Sequence, residues 1–165
     1  MNIDVIISTL QKLERLHRSL LDLSVKKTDI IKEGDMAGLD NMLKNEQTHI
    51  AAIERLEQQR QVEVTDYLRA NGFVPTEAPT VAQLIEVAPQ QHKDTLQQAR
   101  ERLIDVIEQL KKRNDLNQKM IFQSLQFVNM TLDLVQPRPE QMNYSNDIGG
   151  RSAAPQKKTY FDSQA

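Results

Sequence analysis

Apolar residues recur every three or four positions through three long stretches of this 165-residue chain, separated by residues that end helices. Ile6, Leu10, Leu13, Leu16, Leu20, Leu23 and Ile31 mark the first stretch. This spacing places them on one face of a helix, predicted over Ile3–Glu33. Gly34 can close that helix in the left-handed conformation, and Asp35 can cap the next. So tight a turn predicts an antiparallel helical hairpin. The second helix is predicted over Met36–Ala70, with Leu39, Leu43, Ile50, Ile53, Leu56, Val64, Tyr67 and Leu68 inward and Asn71-Gly72 at its end. Gly38 weakens its first turn. Glu46, Glu57 and Arg60 fall on or near its apolar stripe and are expected to pair or snorkel at the seam.

A connection with Pro75 and Pro79 leads to Thr80, which can cap a short helix over Val81–Ala88. Pro89 suits either a break or the first turn of a last helix. That helix is predicted over Gln90–Val135, stopped by Pro137 and Pro139. Three long helices and a short one give an all-α, elongated antiparallel bundle with coiled-coil-like packing, spanning residues 1–135. Residues 136–165, with Gly149-Gly150, three prolines and no sustained period, are expected to form a flexible tail. Tyr144, Ile148, Tyr160 and Phe161 are spaced in it like anchors of short motifs.

The last helix carries a surplus. From 116 to 135, Ile121, Leu125, Val128, Leu132 and Val135 form one stripe, and Leu116, Met120, Phe127, Met130 and Leu134 a second. Together they cover roughly 220° of the wheel, against about 100° for a helix packed on one core. Only the first stripe continues upstream, through Leu96, Leu103, Ile107 and Leu110. Its periodicity assigns it to the core. The local second stripe needs a cover of its own. If the last helix is central in the bundle, flanked by two others, the cover is intramolecular. Otherwise the stripe is a groove for a partner helix, and its methionines suit adaptable recognition. Asn114 and Asn117 interrupt the core stripe just upstream. Buried polar residues there can fix helix register, or they can loosen the bundle so that the distal helix repacks around a guest.

Composition excludes several functions. Aromatics make up 4%, tryptophan is absent, and Gln, Leu, Glu, Lys and Arg dominate, which suits long helices. The net charge of −2 is not segregated, so no nucleic-acid surface is expected. No cysteine is present, which removes thiol catalysis and Cys-type zinc sites. The N-terminal residues lack the marks of a signal peptide, no apolar run approaches a membrane span, and a cytoplasmic protein is expected. Two Glu-x-x-His motifs, Glu14/His17 and Glu46/His49, are the sharpest enzymatic signal. A di-metal carboxylate bundle uses such pairs, together with two further inward carboxylates. The acids of the last helix all fall off its core stripe, so no metal site is expected. His92 lies in a Gln-rich turn and is expected to be solvated. No Gly-rich phosphate loop or nucleophile elbow occurs. A binding protein is expected, with no catalytic residue, cofactor or membrane insertion.

The order of these elements resembles the FlgN-type flagellar export chaperones. The resemblance rests on the leucine-periodic first helix, Glu33-Gly34-Asp35 with Leu39 and Leu43, the run Ile53 to Arg60, and Asn114, Asn117, Ser124, Leu125 and Val128 in the last helix. Tyr144 and then Gly149-Gly150 follow. It covers residues 1 to about 150. It implies a cytoplasmic, non-enzymatic chaperone of type III secretion. Such a chaperone binds C-terminal helical segments of hook-associated proteins 1 and 3, the hook–filament junction proteins. It prevents their premature assembly and delivers them to the cytoplasmic domain of the export gate. Carried over by position, the cargo surface is Leu116, Met120, Phe127, Met130 and Leu134, and the gate-docking residue is Tyr144. The tail to Ala165 is longer than in short family members. Monomer and homodimer both remain open. The reading from another class is a structural adaptor that self-associates through the extra face.

Overall fold

The computed structural model describes residues 2–75 and 78–135, all in helices and their connections. Four helices follow in order: α1 (Ile3–Glu33), α2 (Met36–Ala70), α3 (Val81–Val87) and α4 (Gln90–Val135). Each boundary has a local cause. Asn2 accepts from the Asp4 amide and caps α1. Gly34 turns left-handed at φ 69°, and its amide and that of Asp35 reach back to the last carbonyls of α1. Asp35 caps α2 by accepting from the Gly38 amide at 2.9 Å. A Cβ on Gly38 would collide with that carboxylate, so Gly38, which costs helix propensity, also makes room for the cap. Thr80 and Gln83 form a reciprocal capping box at the start of α3. Ala88 ends α3 one residue sooner than predicted. The Pro89 carbonyl accepts from the His92 amide and so opens the first turn of α4.

α1 is the middle helix. It packs along both α2 and α4, whereas the α2 and α4 backbones make no close approach to each other. This corrects the expectation that α4 could be the central element with two flanking helices. The α1–α2 hairpin is antiparallel, and α4 runs parallel to α1. Pairings of Glu14 with Arg102, Ser24 with Asn114 and Thr28 with Asn117 set the α1–α4 register.

The dry core lies at the end holding the start of α1. Ile3, Ile6, Leu10 and Leu13 meet Val64, Tyr67 and Leu68 of α2, Val81 and Leu84 of α3, and Leu96, Ala99, Leu103 and Val106 of α4. The expected seam acids and Arg60 are paired. Glu46 meets Lys27 across the hairpin at 3.2 Å. Arg60 binds both carboxylate oxygens of Glu57 with Nε and Nη2, one edge of its guanidinium, and donates from Nη1 to the Pro79 carbonyl at 3.1 Å, tying α2 to the approach to α3. Glu63 is buried on α2 with Gln59 donating to one carboxylate oxygen, and the other oxygen has no partner.

Toward the hairpin turn the core thins. On α2, Leu39, Ile50 and Ile53 are half-buried and Leu43 is exposed. Polar residues replace aliphatic ones between α1 and α4. Ser24 Oγ donates to Asn114 Oδ1 at 3.0 Å, Thr28 Oγ1 to Asn117 Oδ1 at 2.6 Å, and Asn117 Nδ2 to the Ser24 carbonyl at 2.9 Å. Ser24, Thr28 and Asn117 are buried, and each hydrogen-bonds. This clasp bears out a register role for the asparagines.

His17 is buried on α1, with Nδ1 2.7 Å from the Leu13 carbonyl. A carbonyl only accepts, so Nδ1 carries the proton. Burial lowers its pKa, against upward pulls from the Leu13 hydrogen bond and the Glu57 carboxylate.

Two predictions follow from these contacts. Truncating Asn117→Ala removes one donor to the Ser24 carbonyl and the shorter of the two acceptors of the Thr28 hydroxyl, which keeps the Ser24 carbonyl at 3.2 Å, so urea unfolding should register a loss of about 1–2 kcal/mol. The lowered His17 pKa means that the unfolded chain takes up a proton first as pH falls. Stability should therefore be full above about pH 6.5 and decline below it until the folded-state value is reached. Melting temperatures between pH 7.5 and 5 should show this slope, and His17→Leu should flatten it.

Candidate functional site

The candidate site is the far end of α4, where that helix outlasts its support. In the register set by the clasp, Glu33 at the end of α1 lies level with about residue 122 of α4. α2 begins at the same level, just beyond the turn at Gly34. The last thirteen or so residues of α4, about 20 Å of helix, therefore project past the hairpin.

Three of the five residues of the predicted second stripe are exposed. Leu116 is 43% exposed, Met130 66% and Leu134 86%, while Met120 is half-buried where the projection leaves the bundle. The side chain of Phe127 lies outside the described residues. The first stripe does not behave as core here. It is buried at Leu96, Leu103 and Leu110, yet Leu125 is 58% and Leu132 47% exposed, with Ile121 half-buried between the two regimes. The helical period persists beyond Asn117 while the helix that justified it stops. Phe122, off both stripes, is 62% exposed and was not anticipated; its only signal in the sequence is a large aromatic on an otherwise polar side. Tyr144, Ile148, Tyr160 and Phe161 lie outside the described residues.

The surface is chemically plain. Thirteen consecutive residues, Met120 to Leu132, carry no charged side chain, with Lys119 and Asp133 at the two borders. The polar positions within it are Gln, Ser, Asn and Thr. Such a surface recognises shape and apolar area and adds little electrostatic steering. An open apolar stripe on a projecting helix is what the apolar face of an amphipathic helical partner can pack against.

The Glu-x-x-His motifs do not assemble into a metal centre. Glu14 is engaged by Arg18 at 2.9 Å and Arg102 at 3.4 Å, and Glu46 by Lys27. His49 meets Ser19 through Nε2 at 2.9 Å, and His17 faces Glu57. Among the described residues no group of three or more His, Asp or Glu side chains is placed to hold a metal. His92 is half-buried beside Gln91, which donates to its Nε2 at 3.2 Å, and so is less solvated than expected. Among the described residues no helix is long and apolar enough to cross a membrane.

The family model "FlgN protein" matches residues 1–150, which includes the whole bundle and the projection. The chain is similar to "Uncharacterized protein YvyG" of Bacillus subtilis (strain 168), at 33% identity over 165 residues and the full length of both. No solved structure matches. With an all-helical bundle, an uncovered helical end and a family match over nine-tenths of its length, the chain belongs to the FlgN family of flagellar export chaperones.

Proposed function

We propose that the protein is a cytoplasmic chaperone that captures the C-terminal helical segments of hook-associated proteins 1 and 3, keeps them from assembling prematurely and hands them to the cytoplasmic domain of the export gate. The observation that carries this reading is the exposure of Leu116, Met130 and Leu134 on a helix that projects beyond its bundle. Proteins that polymerise through terminal helices carry apolar ends that are hazards before assembly. A projecting helix with open apolar stripes offers those ends a surrogate neighbour. The chaperone needs no nucleotide or metal for this, because the exchange is one apolar contact for another. Methionines at 120 and 130 let one surface accept two related ends. Tyr144, about nine residues past the end of α4 in the sequence, is assigned to gate docking.

The cargo assignment is tested by Phe127→Gln with Met130→Gln. Binding of either C-terminal segment, measured by calorimetry, should weaken at least about tenfold, the scale of losing one or two buried apolar side chains. Circular dichroism of the free protein should not change. Loss of helicity, or dissociation of a dimer, would instead identify the face as core or as the seam of a self-associating adaptor. Deleting residues 136–165 should leave cargo affinity intact and reduce secretion of the cargo. Lost affinity in that truncation would remove the docking role from the tail.

A further inference from the structure

The first stripe of α4 has no occupant past the end of α1. Upstream it forms the α1–α4 seam through Leu103, Leu110 and Asn117. Downstream the same face leaves Ile121 half-buried and presents Leu125 and Leu132 to solvent. The seam is thus an existing helix–helix interface that runs on while one of its helices stops. The stopping point is a closed left-handed cap, in which the Ile31 and Ile30 carbonyls accept from the Gly34 and Asp35 amides. Met36, the first residue of α2 just beyond that cap, is 73% exposed.

We propose that this continuation is a second docking surface, on which a partner helix lies end to end with α1, so that the guest holds α4 by two helical segments, one on each stripe. The inference rests on the cargo reading above and specifies the guest's form. The stripes are centred about 130° apart on the helix, too far for one guest helix to cover both. Area gives the second reason. One stripe about 20 Å long offers roughly 300 Å², far below the roughly 800 Å² per partner of a stable interface. A single segment, or the matching stripe of a second copy of this chain, is therefore too small. Two segments on two stripes, with the first abutting Met36, bring the contact to roughly 600 Å² per partner, the lower end of the range for specific interfaces. The chemistry of both segments is set by the uncharged run from Met120 to Leu132: amphipathic helices whose contacting borders are Gln, Asn, Ser or Thr instead of acidic or basic residues.

The test uses the full-length chaperone and, as probe, the C-terminal segment of hook-associated protein 1 or 3. Hydrogen exchange on the bound segment should show two protected helical stretches separated by an unprotected link. Leu125→Gln with Leu132→Gln should remove protection from one stretch and weaken binding about tenfold to a hundredfold. Met130→Gln with Leu134→Gln should do the same to the other stretch. These four side chains are exposed, so the free variants should keep their helicity. Affinity should change less than about twofold between 0.05 and 0.5 M salt, since no charge pairs are at stake. A single protected stretch, or unchanged affinity in the Leu125/Leu132 variant beside lost affinity in the Met130/Leu134 variant, would overturn the second surface and leave the cargo reading standing. A free dimer that the Leu125/Leu132 variant splits would assign the stripe to a second copy, and so also overturn it. Absence of any binding by the unaltered protein would bring down the cargo reading itself.

Discussion

Asn117 places its side-chain amide between the Ser24 carbonyl and the Thr28 hydroxyl, and this one arrangement fixes where α4 stands relative to α1. Aliphatic seams slide at modest cost, because one leucine contact resembles the next. A buried amide has no such tolerance. Moved by one turn, it would leave donors and acceptors unpaired in a site closed to water, at about 1–3 kcal/mol each. The clasp thus sets the length of α4 that projects past the hairpin turn. The lengths of the helices themselves, 31 residues for α1 and 46 for α4, make the projection unavoidable once the register is held.

The rest of the molecule is graded around that constraint. All four helices contribute to the core at the end where α1 begins, with Leu10, Leu84 and Leu96 fully buried. The middle is held by fewer aliphatics and by cross-helix pairs such as Lys27–Glu46. At the far end, the described apolar side chains of α4 meet solvent. Local opening free energy follows buried apolar contact, so the firm end anchors the bundle and the thin end is the part free to accommodate a guest. His17 and Glu63 lie within the bundle as buried polar costs. The imidazole is held neutral by burial, and the carboxylate has one unpartnered oxygen.

Much of this was legible in the sequence, because helix ends are written in single residues. Gly34, Asp35, Thr80 and Asn71-Gly72 gave the limits of α1, α2 and α3 to within a residue. The second stripe was legible for the same reason that any amphipathic face is: its period is in the chain. What periodicity does not encode is which helix lies against a stripe and where that neighbour ends. Leu125 and Leu132 continue the rhythm of Leu103 and Leu110 without a break, and were assigned to the core on that rhythm. Only the pairing of Ser24 with Asn114 and Thr28 with Asn117 reveals that α1 has run out. The same gap hid that α1, not α4, is the middle helix. Phe122 escaped because a lone aromatic off both stripes has no period to mark it.

An uncharged, doubly striped projection also bears on release. A guest held by apolar area on two separate faces can leave one face at a time. Each partial departure exposes roughly half the contact, and the segment still bound holds the freed one at high local concentration until a competitor takes the vacated face. Binding through charge would behave otherwise, since attraction acts over about 8 Å at physiological salt and draws a half-released segment back. The neutral run from Met120 to Leu132 and the division of its apolar residues between two stripes are therefore complementary. Together they allow a contact large enough to cover an assembly-prone helical end, and shallow enough in each part to be undone stepwise.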